Sequence, residues 1–98
     1  MPQSIKLTFS WNENVSARVL YVFHNNKSKE PGQVGTQQIE VTYSAATSPI
    51  HFVAAGLEFI GSKLTGLEAK MSIDGGPAVT IAANAEGATH FWKVAGAP

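Results

Sequence analysis

A chain of 98 residues, 44% of them hydrophobic and 14% charged, carries enough apolar material for one small domain around a single core, which excludes a linker or a disordered tail. Seven basic residues balance seven acidic ones and are scattered, so neither a nucleic-acid surface nor a basic membrane-surface helix is expected. The absence of cysteine removes disulfides, thiol catalysis and thiolate zinc.

Met1-Pro2-Gln3-Ser4 runs straight into an alternating segment, without the basic and apolar regions of a secretory signal. No apolar run approaches the roughly 18 residues of a membrane helix. The expectation is a soluble chain without membrane insertion, cytoplasmic or exported by a signal-less route. Ile5, Leu7, Phe9 and Trp11 then alternate with Lys6, Thr8 and Ser10, the period of a strand covered on one face. This row assigns Trp11 to the core. Asn12-Glu13-Asn14 supplies turn chemistry, and residues 17–23, apolar on both faces past Arg18, read as a central strand. Residues 24–33 are polar, charged and punctuated by Pro31-Gly32, so they read as the one long loop of the chain.

Ile39, Val41 and Tyr43 alternate with Gln38, Glu40, Thr42 and Ser44 in a third strand. Pro49 breaks the chain because it has no ladder donor, and residues 50–55 form a fourth, more buried strand. Leu57, Ile60, Leu64, Leu67 and Met71 fall at helical spacing, yet Gly56, Gly61 and Gly66 would each cost a helix about 1 kcal/mol against alanine. A strand extension or a single helical turn over 57–60, followed by an irregular link, is expected instead. From Leu67 the alternation returns, with Leu67, Ala69, Met71 and Ile73 inward and Glu68, Lys70, Ser72 and Asp74 outward. Asp74-Gly75 signals a tight hairpin, since glycine accepts the positive φ of a primed turn. Val79 and Ile81 carry the return strand, residues 84–87 a reversal, and residues 89–94 the last strand. That strand has His90, Trp92 and Val94 on one side and Phe91 and Lys93 on the other.

About seven short strands joined mostly by tight turns predict an all-β single domain over residues 1–98. The favoured form is an antiparallel β-sandwich, immunoglobulin-like or jelly-roll-like, with a small β-barrel as the alternative. Without a cysteine pair, the antibody framework itself is excluded.

Catalytic signals are weak. His24, His51 and His90 lie on or beside three strands without paired spacing, so no metal is expected, and nothing calls for a cofactor. The segment 56–63 ends in Gly61-Ser62-Lys63, which inverts the phosphate-loop order, and its interior is bulky and apolar. Asp74 is the one aspartate and sits in a turn, the six glutamates are dispersed, and no Gly-x-Ser-x-Gly elbow occurs. No catalytic residue is therefore assigned.

Recognition remains. The stretch carrying His24, Asn25, Asn26, Lys27, Lys29 and Glu30 would present polar groups from a rigid sandwich, as binding loops do. A plain packing role is the favoured reading of Trp92; the alternative is that His90, Trp92 and Tyr21 form a half-exposed aromatic patch on which a sugar ring can stack. The expected function is a non-catalytic recognition module for a protein or glycan partner. A structural, self-assembling homo-oligomeric subunit is the alternative, from the zero net charge and the free sheet edges; a small enzyme or metal-binding protein comes third.

Overall fold

In the computed structural model, which describes residues 3–25, 27–45, 50, 52–59, 64–85 and 91–96, the period-two rows become strands of two antiparallel sheets packed as a β-sandwich. β1 (Gln3–Ser10) buries Ile5, Leu7 and Phe9 on one side and exposes Ser4 and Lys6 on the other. It pairs with β5 (Gln38–Ala45) on one flank and β7 (Leu67–Ile73) on the other, and β8 (Val79–Ala85) completes the sheet in the order β5-β1-β7-β8. Register aligns the inward rows: Leu7 lies between Val41 and Met71, and Phe9 between Ile39 and Ala69. The expected hairpin is present, with Asp74 and Gly75 at φ 53° and 75° and the Gly76 N–H donating to the Ile73 carbonyl at 2.9 Å.

The second sheet centres on β2 (Ser16–His24) and β6 (Val53–Phe59), with β9 (Phe91–Gly96) beyond β6. Two short strands, β3 (Lys27–Lys29) and β4 (Val34–Thr36), share the other edge of β2. The expected long loop over 24–33 is thus corrected: His24 ends β2 and pairs with Lys27, β3 continues the ladder to Lys29, and the stretch between β3 and β4 leaves it. Even there the Gly32 N–H reaches the Val19 carbonyl at 3.1 Å and the Val19 N–H the Gln33 carbonyl at 2.9 Å. Polar composition marks an edge strand as readily as a loop, because one side of an edge always meets water.

Nine strands stand among the described residues where about seven were expected. β1 and β2 belong to opposite sheets, unlike the immunoglobulin order, in which the first two strands share one. β6 begins at Val53, three residues later than expected, and continues through Phe59 as a strand; Ile60 lies outside the described residues. Asn84 and Ala85 end β8 in place of the expected reversal, while Glu86 and Gly87 lie outside the described residues.

The chain changes sheets between β4 and β5 through Gln37 alone, at φ 64°. Its carbonyl accepts from the Trp11 N–H at 3.1 Å, and its side-chain amide donates to the Asn12 carbonyl at 3.1 Å. Between the sheets the inward rows meet in one core, in which Phe9 packs edge-on to Trp92 with ring centres 6.3 Å apart. Each large side chain so buried contributes roughly 1.5–3 kcal/mol. Trp11, 5% exposed, closes one end and donates its indole N–H to the Val15 carbonyl at 2.9 Å.

Candidate functional site

The two outward faces of the sandwich differ in kind. On the four-stranded sheet, Lys6 stands between Thr42 and Ser72, and Thr8 between Glu40 and Lys70. The pairs Lys6–Glu40 (3.6 Å) and Lys70–Glu68 (3.3 Å) are half exposed and contribute about 0–1 kcal/mol each. This is an ordinary solvated face.

The five-stranded sheet turns aromatic rings to solvent. A β-bulge in β2 starts the pattern: Val19 pairs with Leu57 and Tyr21 with Gly56, so Leu20 is an extra residue. The insertion shifts the alternation. Val22 and His24 face the core, and Tyr21 and Phe23 face outward, where their rings meet edge to face at 5.9 Å. Phe91 of β9 lies on the same side. A Cβ built on Gly56 would stand 2.8 Å from the Phe91 ring and 2.4 Å from the Tyr21 ring, so both rings lean over the bare backbone of this glycine. Phe52, 44% exposed, and Phe23, 36% exposed, extend the patch. Tyr21, Phe52, Ala54, Lys93 and Ala95 line a shallow depression of about 340 Å³. At one margin Arg18 donates to Glu58 at 3.1 Å, on the cross-strand register that pairs them.

Comparison with family models, curated proteins and solved structures finds no match.

The sequence-predicted residues fall into three places. Tyr21 is on the aromatic face. Trp92 is not: its register opposite the inward Leu57 turns it into the core, 4% exposed, which is the packing role favoured for it, and the alternative patch centred on Trp92 gives way to one around Phe91, its neighbour of opposite parity. His90 and Asn26 lie outside the described residues, as does His51. His24 is 2% exposed and faces inward, its Nδ1 3.2 Å from the Tyr43 hydroxyl of the opposite sheet. Asn25 turns the chain at φ 54°, its N–H donating to the Phe52 carbonyl at 2.9 Å, and Lys27 opens β3.

Lys29 and Glu30 stand at a second feature, a slot of about 280 Å³ between the edge of β3 and β4 and that of β5. Burial raises the Tyr43 phenol there to about 12.

Among the described residues, no group of three or more His, Asp or Glu side chains stands close enough to hold a metal ion. No helix among them is long and apolar enough to cross a membrane. Sequence reasoning missed Phe23, Phe52 and Phe91. For Phe91 a signal was present in the alternation of β9, which separates it from Trp92, but alternation alone does not say which side faces in.

Proposed function

We propose that the protein is a non-catalytic recognition module and that the aromatic outer face of its five-stranded sheet holds a carbohydrate. The observation that carries this reading is the contrast between the two faces: Ser, Thr, Lys and Glu on one, and the rings of Tyr21, Phe23, Phe52 and Phe91 on the other. Exposed aromatic clusters on a small domain mark interaction sites. Rings lying over a glycine form a low ledge, and Arg18, Glu58 and Lys93 surround it with charged hydrogen-bonding groups. That mixture suits a sugar, whose C–H face stacks on a ring while its hydroxyls take polar partners.

The test is retardation of the purified protein in gels containing soluble polysaccharides, with a glycan array to widen the choice. Phe23→Ala with Phe52→Ala should abolish retardation, since stacked rings contribute roughly 0.5–1.5 kcal/mol apiece. Thr8→Ala, on the opposite face, should leave it intact. A protein retarded by no glycan, yet forming a dimer that the double variant dissociates in light scattering, would replace this reading by self-assembly through the same face.

A further inference from the structure

The slot beside β3 is independent of the aromatic face and lies between the sheets. It exists because the edge strand is interrupted: β3 stops at Lys29, the chain swings out through Glu30, Pro31 and Gly32, and β4 begins only at Val34. Val22 of β2, the ladder partner of Lys29, and Val41 of β5 line the slot from beneath, both nearly fully buried. The ring of Tyr43 makes one wall.

Charge is arranged at the mouth with some care. Lys29 pairs with Val22 across the ladder and so leans to the same side, running its stem along the slot. Its ammonium sits 5.3 Å from the centre of the Tyr43 ring and donates to the Ser44 carbonyl at 3.3 Å, which joins the facing edges of the two sheets. A cation held in this way loses little side-chain freedom on binding an anion, and it keeps further N–H donors to offer. Glu30 lines the same slot, and among the described residues neither Lys29 nor Glu30 has an oppositely charged partner. The mouth therefore presents one fixed positive and one negative group above an apolar floor. The volume suits a ligand of about a dozen non-hydrogen atoms.

We propose that this slot binds a small zwitterion of the α-amino-acid type with an apolar side chain. The ligand carboxylate takes the Lys29 ammonium, its ammonium takes the Glu30 carboxylate, and its side chain lies against the Tyr43 ring and Pro31, above the buried Val22 and Val41. A purely anionic ligand would meet Glu30 unfavourably, and a purely cationic one Lys29. Charge complementarity is what singles out the zwitterion.

Amide NMR spectra of the intact chain, titrated in parallel with L-phenylalanine, hydrocinnamate and L-phenylalaninamide, test it. L-Phenylalanine should shift the amides of Val22, Gln33, Thr42 and Tyr43, and bind at least about tenfold more tightly than either analogue, the worth of one charge-assisted hydrogen bond. Lys29→Met, which keeps the stem, should weaken L-phenylalanine and hydrocinnamate and spare the amide. Glu30→Gln should weaken L-phenylalanine and the amide and spare hydrocinnamate. Both substitutions are at the exposed rim, and each variant's own spectrum reports its fold. The proposal is overturned if none of the three shifts those amides, if hydrocinnamate binds as tightly as L-phenylalanine, or if the shifts ignore the substitutions. Shifts confined to Phe52 and Ala54 would also overturn it and would speak for the aromatic face instead.

Discussion

Tyr21 of β2 and Gly56 of β6 are partners across the sheet, and the tyrosine ring occupies the space that a side chain at position 56 would need. A methyl group there would stand 2.4 Å from Tyr21 Cε1 and 2.8 Å from Phe91 Cζ. Both contacts are below any attainable separation, so Gly56→Ala must push the two rings apart. Tyr21 Cε1 and Phe91 Cζ are the outer ends of partly exposed rings that can swing toward solvent, so the expected cost is below about 1 kcal/mol, read as a urea midpoint little changed at an unchanged slope. The same variant should lose glycan retention, because the ledge depends on rings lying close to bare backbone.

Trp92 and Phe52 separate core from face. Trp92→Ala empties the space beside Phe9 and should cost about 3–5 kcal/mol, whereas Phe52→Ala removes a ring already half in water and should cost well under 1 kcal/mol. Urea denaturation of the two variants checks this ordering. Trp11 and Trp92 are both buried. A ligand stacking on the aromatic face should therefore quench tyrosine fluorescence and leave the tryptophan spectrum nearly unchanged, while a tryptophan response would place the ligand elsewhere.

How far the chain could be read without its structure depended on which physical rule decided each element. β1 and β7 were legible because one face of each is wet, so alternation alone names the buried residues Leu7, Phe9, Leu67 and Ala69. The Asp74-Gly75 hairpin was legible because its backbone requires φ > 0. β2 was legible as a strand but not in its facing. Residues 19–24 are apolar or aromatic on both sides, and a one-residue bulge at Leu20 decides that Val22 goes in and Tyr21 stays out. Pairing across the sheet, a long-range contact, likewise turned Trp92 inward and left Phe91 on the face. The slot was invisible for a related reason: Lys29 and Glu30 read as loop charges until β3 and β5 bring them above Val22 and Val41.

Tyr43 predicts behaviour in alkali. Burial raises its phenol from 10.0 to about 12, so the folded state holds the proton where the unfolded chain has released it. The stabilising contribution is complete below about pH 10 and is lost as pH rises through about 12. Spectrophotometric titration should show one phenolate appearing near pH 12, absent from Tyr43→Phe. A titration of that group near the ordinary tyrosine value would contradict its place between the sheets, where its hydroxyl meets His24 Nδ1 at 3.2 Å.

Glu13 predicts the acid limb. Both carboxylate oxygens accept from Thr65, one from its N–H at 2.7 Å and the other from its hydroxyl, and the Asn12 N–H returns a bond to the Thr65 carbonyl at 3.0 Å. The Thr65 hydroxyl first, and then its N–H, hold the Glu13 carboxyl below its ordinary value of 4.5. Because the folded value is the lower one, the unfolded chain binds the proton first on acidification. Glu13 therefore contributes stability that is present above about pH 4.5 and is lost as pH falls through the folded value. Urea midpoints of the wild type and Glu13→Gln, compared from neutral pH downward, should differ most above pH 4.5 and converge in acid. Thr65→Val should shrink that difference by removing the first of the two donors, and equal acid slopes in all three proteins would show that the two loops are not held together by this carboxylate.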